Sequence, residues 1–428
     1  MKLFPHQEEA LMRTENANRV AYFHDMGLGK TYTGAEKMFR LGADTNLLIC
    51  QKSKIQDWIN HFKTHYPEVV ISDLTKKGAV DEFVSRFNAW HGWRGASFAV
   101  GIINYELAWR RKDLLKLHDF TLMLDESSLI QNKTAKQTKF ILKLDAANVI
   151  LLSGTPTSGK YENLWTQARL LGWEISESLY QRQYVNWNTI KVPGGQFVKV
   201  VDKANPYKNV DRLKSKLREH HSDFVKTEDV MNLPEQTFIE INISKPKHYD
   251  KFMKDSIVTV NGVELVGDTS LTKRLYAREL CGIYSAEKLE AFRDLLSSTN
   301  DRIIVFYNFT AEVEKLIRIV KEFERPFSVI NGAGKQLVAY ENYNDSITFV
   351  QYQAGAKGLN LQKANKIVYY SPTVKCDDWM QSQKRIHRIG QQRPCFYYKL
   401  ICKGTVEEDI YQCLENGVDW TDRLFEYG

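Results

Sequence analysis

Short apolar runs return along this chain in two separate series, with polar, helix-like stretches between them. The first series is Val20–Phe23, Leu47–Cys50, Phe98–Ile103, Leu122–Leu124 and Val149–Leu152. The second is Ile303–Phe306, Phe327–Ile330, Ile347–Val350, Ile367–Tyr370 and Phe396–Ile401. Runs this short and this continuously apolar have the texture of strands covered on both faces. Helical patterns intervene at Thr31–Leu41, Ile55–Phe62, Thr134–Leu144, Ala311–Glu322 and Asp378–Arg388. Strand–helix alternation builds parallel sheets, because parallel neighbours need a crossover long enough to hold a helix. The expected fold is therefore α/β with two tandem lobes. The first covers residues 1–235, with an insertion at about 173–230, and the second covers 236–428.

The stretch from about 173 to 285 differs in texture and carries two hairpin signals. One is Pro193-Gly194-Gly195 between alternating runs; the other is Asn261-Gly262 inside IVTVNGVELV. Asn-Gly between alternating apolar residues is a strong short-range hairpin cue. The basic helical piece NVDRLKSKLREHH lies between them, and Pro234 marks the crossover into the second lobe. Lys191, Lys199 and Lys203 surround the first hairpin. Two readings of it stay open: a device for a strand junction, or a small insertion packed on the first lobe.

Length and 43% hydrophobic content are enough for about two or three globular cores. The charge balance, 59 Lys+Arg against 52 Asp+Glu, permits a polyanionic partner without demanding one. The six cysteines include no CxxC pair, which fits free thiols in a reducing compartment and no structural zinc. No apolar run approaches the roughly 20 residues that span a bilayer, and the N-terminus lacks the apolar core of a signal peptide. The expectation is a soluble intracellular protein without a membrane partner.

After the strand Val20–Phe23, HDMGLGKT opens a helix at Thr31. Phosphates must lie against backbone N–H groups, so side chains must be absent there, and Gly27 and Gly29 supply that. The helix N-terminus adds its positive end. Lys30 is the residue to reach the β- and γ-phosphates, and the Thr31 hydroxyl the one to hold Mg²⁺. The strict GxxxxGK[ST] pattern is not met, since His24 stands at its first glycine. About 95 residues downstream, LMLDESS ends an apolar run in two carboxylates. Asp125 is the second Mg²⁺ ligand, and Glu126 is set to position or deprotonate an attacking water.

The run QSQKRIHRIGQQ at 381–392 reads as a helix with Gln381, Arg385 and Arg388 on one face. With the phosphate loop, LFPHQ at 3–7, LLICQKSKIQDWINHF at 47–62, LLSGTP at 151–156, HSDFVKTEDVMNLPEQ at 221–236, RIIVFYNFTAEVEKL at 302–316 and AGAKGLNLQKANKIVYY at 354–370, it forms an ordered set. In this order the segments resemble the Swi/Snf-type DNA-dependent ATPases of helicase superfamily two, in a compact form similar to phage or bacterial relatives. RIHRIGQ is the most specific of them.

The resemblance implies two RecA-like lobes with a nucleotide cleft between them and small hairpin insertions. It implies ATP and Mg²⁺ as cofactors, with Gln7 on adenine and Gly358 and Gln381 also near the nucleotide. Arg385 and Arg388 become arginine fingers supplied in cis. Nucleic-acid contacts fall on Lys52, Ser53, Asn104 and Tyr105 in the first lobe and on Asn308 and Thr310 in the second. Asn360 is a weaker nucleotide or strand sensor. The implied activity is ATP-driven translocation on double-stranded DNA, remodelling or displacing bound factors, by a monomer in the cytoplasm of a bacterial or phage-infected cell. A helicase that separates strands or remodels forks, on single-stranded DNA or RNA, shares every motif. A nucleotide-switched nucleic-acid-binding scaffold would have no use for Glu126. The sequence departs from the family at His24 and Asp25, which replace an acidic pair. It departs again at Gly159 and Asn163, where the family has an asparagine and then a glutamate.

Overall fold

The computed structural model describes residues 2–90, 98–157, 160–191, 195–202, 204–352 and 359–422. The chain divides into two compact units, one through Val230 together with the residues from Trp420 onward, the other over Met231–Asp419. Gly358, Gly355, Pro193, Gly194, Lys203 and Gly159 lie outside the described residues.

In the first unit the strands are β1 (Arg19–His24), β2 (Thr45–Cys50), β3 (Val70–Asp73), β4 (Ala99–Asn104), β5 (His118–Asp125) and β6 (Asp145–Leu152). The hairpin strands β7 (Trp187–Lys191) and β8 (Phe197–Val201) follow, then β9 (Ser222–Val225). The sheet runs β3-β4-β2-β5-β6-β1-β9 and every pairing in it is parallel. Leu47-Leu48-Ile49-Cys50 shows why the run is apolar throughout. Leu47 and Ile49 join the core on one face, while Leu48 and Cys50 join the core on the other. Each such side chain contributes about 1.5–3 kcal/mol by leaving water. Parallel alignment puts the C-terminal ends of β5, β6 and β1 side by side at one sheet edge. Leu152 is in register with Tyr22 on one side and Asp125 on the other. Functional loops of an open parallel sheet gather at this edge.

In the second unit the strands are β10 (Gln236–Ile243), β11 (Ile257–Val260), β12 (Val263–Val266), β13 (Ile303–Tyr307), β14 (Phe327–Asn331), β15 (Gly334–Lys335), β16 (Ile347–Gln351), β17 (Lys366–Tyr369) and β18 (Cys395–Cys402). Its sheet runs β10-β18-β17-β13-β16-β14-β15, parallel except for β14 with β15. The cores again lie on both faces, with Ile304 and Phe306 on one and Ile303 and Val305 on the other. The two-lobed parallel α/β architecture is the one expected from the alternation of apolar runs.

Asn261 and Gly262 turn the β11–β12 hairpin with φ values of 49° and 79°, the left-handed conformation that selects this dipeptide. One face of this hairpin, Val258, Val260 and Leu265, is buried against Tyr249 and Phe252.

The expected helix at Asp378–Arg388 is instead Cys376–Gln383, so Arg385 and Arg388 follow its end in a run of turns. The Tyr397 hydroxyl donates to the Gln383 carbonyl at 3.0 Å, satisfying an acceptor that one more helical turn would have used.

Lys288 and Glu407 form a fully buried ion pair, with both carboxylate oxygens within 2.7 Å of Nζ. Glu407 also accepts from the Cys402 N–H at 3.0 Å, fixing the helix Val406–Asp422 to the end of β18. Removing one partner strands a buried charge. Lys288→Met is expected to cost about 3–5 kcal/mol in urea unfolding, and adding Glu407→Gln to recover most of it.

Candidate active site

The phosphate loop spans the gap between β1 and the helix Lys30–Leu41. Gly27 and Gly29 have φ of 93° and 73°. At Gly29 a Cβ would stand 2.5 Å from the Gln7 amide nitrogen, so both conformation and space require glycine. Gln7 is buried and fixed on three sides. Its Nε2 donates to the Leu28 and Gly29 carbonyls at 3.2 and 3.0 Å, and its Oε1 accepts from the Phe4 N–H at 2.9 Å. His6 reaches the Leu28 carbonyl through Nε2 at 3.0 Å. Lys30 lies folded along the loop, donating to the His24 and Asp25 carbonyls at 2.7 and 3.0 Å.

His24, at the place of the missing glycine, is fully buried and meets Asp223 of β9 at 2.7 Å. Arg13 closes the group with bonds of 2.7 and 3.2 Å to the same carboxylate. Burial pushes His24 below its ordinary range, against the pull of Asp223, so a neutral ring donates from Nε2. Burial alone would raise Asp223, but the His24 and Arg13 bonds and charges outweigh it and hold the acid low. Asp25 is tied to the same side, accepting from the Thr227 N–H and hydroxyl at 3.0 Å each.

Asp125 ends β5, partly buried, with Oδ2 accepting from the Trp58 indole at 2.8 Å. Burial pushes this carboxyl up, against the Trp58 bond and the charges of Lys54 and Lys30. A divalent cation beside it would keep such an acid ionised, so the Asp125 carboxylate is suited to serve as a metal ligand. Glu126 turns with φ 58°, an uncommon conformation for a non-glycine residue. The next residue, Ser127, donates to Gln167 at 2.8 Å, and Gln167 donates to the Pro156 carbonyl at 2.7 Å. Gln131 reaches the same carbonyl at 2.9 Å and accepts from Asn163 at 3.4 Å. The SGTP loop is thereby locked to the carboxylate turn. It also lies close to the phosphate loop, since a Cβ on Gly154 would come within 3.3 Å of Lys30 Nζ.

Lys52 and Ser53 are exposed, as a backbone contact requires. Asn104 and Tyr105 are not. Tyr105 is buried and donates to the Asp125 carbonyl at 3.0 Å, and Asn104 is buried and donates to Glu106 at 2.6 Å. The Tyr105 side chain supports the carboxylate turn from within and the Asn104 side chain is turned to Glu106, in contrast to the surface contact expected of both.

In the second unit, Arg385 and Arg388 converge although no helix joins them. Both donate to the Leu359 carbonyl, at 3.1 and 3.3 Å, and Arg385 also reaches Gln381 at 3.4 Å. Burial lowers Arg388 from its ordinary value. Gln391 pins this segment to the chain before β17, donating to the carbonyls of Gln362, Ala364 and Ile386 at 2.8–3.2 Å. His387 bonds the Pro234 carbonyl at 2.9 Å, a structural role. Asn308 is partly buried on Ser371 and Pro372, while Thr310 and Asn360 are exposed.

A family model described as SNF2-related domain matches residues 9–283, and one described as helicase conserved C-terminal domain matches 287–390. The chain belongs to the SNF2-related family. Relatives of this SNF2-related chain include the Bacillus subtilis (strain 168) protein YwqA, named for an ATP-dependent helicase/translocase. It is 24% identical over 94% of this chain and 46% of its own length. A mouse SWI/SNF-related matrix-associated actin-dependent regulator of chromatin, subfamily A member 1, is 24% identical over 91% of this chain and 40% of its own. The chain thus spans less than half the length of these relatives. A solved structure titled Sulfolobus solfataricus SWI2/SNF2 ATPase core in complex with dsDNA aligns over 100% of this chain and 94% of that one. Its TM-score is 0.46 and its identity 18%.

Sequence reasoning missed Asp223, Arg13, Thr227, Gln131 and Gln167 in this SNF2-related site. Asp223 was visible inside HSDF, but only the pairing of β9 with β1 brings it to His24. Burial, with His65 beside it, moves His61 down to about 4, and His24 also moves down from 6.5. Both stay neutral while unfolded histidines charge, so stability is full above pH about 6.5 and falls as pH drops toward about 4. The urea midpoint is expected to decline across that window, and His61→Phe to flatten the decline.

Proposed function

We propose that the chain is an ATP hydrolase that uses turnover to translocate on double-stranded DNA. The observation that carries this reading is the adjacency of the β1, β5 and β6 ends. It gathers Lys30, the Asp125–Glu126 pair and the SGTP loop at one edge of a sheet within an SNF2-related chain. In this reading Gln7 selects adenine, and Gly27 and Gly29 admit the phosphates to the backbone. Lys30 neutralises the β- and γ-oxygens, and Glu126 orients the attacking water. Thr31 and Asp125 hold Mg²⁺, which when bound supplies charge neutralisation of the phosphate oxygens. Gln381 and Gly358 complete the nucleotide contacts.

Arg385 and Arg388 supply positive charge to the transferring phosphoryl group. The Leu359 carbonyl they share serves as a resting acceptor that they exchange for phosphate. Such arginines contribute roughly 10³–10⁵ in rate in related chemistry. Lys52, Ser53, Asn308 and Thr310 take DNA phosphates, giving sequence-independent, salt-sensitive binding. Tyr105 acts by holding the Asp125 turn. The names of the relatives, a helicase/translocase and a regulator of chromatin, favour DNA as the track.

ATP hydrolysis measured with no nucleic acid, duplex DNA, single-stranded DNA and RNA tests the reading. Duplex is expected to stimulate most. Greater stimulation by single strands or RNA would overturn the duplex assignment. Lys30→Ala and Glu126→Gln are expected to lower turnover at least 100-fold, and Arg388→Ala to do so while ATP binding is kept. Turnover surviving Lys30→Ala would overturn the site.

A further inference from the structure

The β7–β8 hairpin stands apart from every other strand of the first unit. All five residues of β7 are exposed, and Phe197 at the start of β8 is 72% exposed. Its base is fixed. The Asn186 and Asp202 N–H groups bond the Pro206 and Asn186 carbonyls at 2.9 Å each, and Tyr184 and Val185 are buried beneath. Unlike β11–β12, which buries one face, this hairpin presents both faces to solvent.

The register decides what each face offers. Directly opposed residues share a face, so Trp187 with Val201, Thr189 with Lys199 and Lys191 with Phe197 lie together. The other face carries Asn188, Val200, Ile190 and Val198. The first face therefore sets two aromatic rings about 13 Å apart along the hairpin, with two lysines between and beside them. Rings interleaved with lysines are the elements that hold an unpaired strand: bases stack and ammonium groups take phosphates. A duplex hides its bases and could not use the rings. The open groove at the foot of this face, of about 760 Å³, continues the basic character with Arg182 and Lys208. Its acid, Asp202, is occupied by the Ala204 and Asn205 N–H groups at 2.8 and 3.2 Å.

We propose that the Trp187–Lys199–Lys191–Phe197 face of the β7–β8 hairpin binds the unpaired DNA strand at a fork or junction. The strand is a second contact, additional to the duplex track of the proposed function, and the proposal rests on that reading for the presence of DNA.

The test is fluorescence anisotropy without nucleotide, comparing a fork bearing single-stranded arms with a fully paired duplex of equal length. The parent is expected to bind the fork more tightly. Phe197→Ala and Trp187→Ala should each weaken fork binding about tenfold, by loss of one stacked base. Phe197→Tyr should restore it, with duplex affinity and duplex-stimulated ATP hydrolysis unchanged in all three. Lys191→Glu with Lys199→Glu should reduce the slope of log Kd against log salt on the fork by about 1.4. Fork affinity unchanged in every variant, or fork and duplex weakened alike, would overturn the proposal. So would a Phe197→Ala variant that changes only self-association in sedimentation. Absence of duplex-stimulated hydrolysis in the parent would instead overturn the translocase reading, while the fork-against-duplex comparison would still report on the hairpin.

Discussion

The phosphate loop of this protein is held from outside. A loop with histidine where a glycine is usual has less room and less freedom, and its shape must be enforced by neighbours. The enforcement comes from two directions. The helix Pro5–Arg13 sends Gln7 and His6 to the loop carbonyls, and β9 sends Asp223 to His24 and the following turn sends Thr227 to Asp25. Arg13 joins the two, since it leaves the first helix and ends on Asp223. Lys30, which donates to the His24 and Asp25 carbonyls, lies on the loop that these contacts hold in shape. The buried Asp223 carboxylate is bonded by both His24 and Arg13, which makes this network costly to break.

The same logic runs through the second unit. Two arginines near each other repel, and each needs an acceptor when half buried. Leu359 gives both the same carbonyl, and Gln391 holds the backbone on which they sit. Gln167 does the corresponding work in the first unit by linking the turn after Asp125 to the loop after β6, so that a change at one is felt at the other.

Much of the fold was legible because parallel strands buried on both faces must be apolar at every position. Leu47–Cys50 and Ile303–Phe306 could hardly be read otherwise. β10 escaped because QTFIEINI alternates at a sheet edge, where one face is more open. Lys30, Thr31, Asp125 and Glu126 were legible as a spacing of chemistry-bearing residues at strand ends. The burial of Tyr105 and Asn104 was not, since nothing local distinguishes a polar strand end that faces water from one that faces a neighbouring turn. The end of the helix at Gln383 depended on the Tyr397 hydroxyl, supplied by β18. The exposure of the β7–β8 hairpin was equally hidden, because its alternating pattern suits a packed face as well as an open one.

An ATP site at this loop depends on β9 and the first helix bracing it. Equilibrium binding of ATP with Mg²⁺ to the parent and to Asp223→Asn tests it most directly, with thermal unfolding run on both. The parent is expected to bind ATP, and Asp223→Asn, still folded, to bind at least tenfold more weakly. Equal affinity in a folded variant, or no binding by the parent, would contradict it.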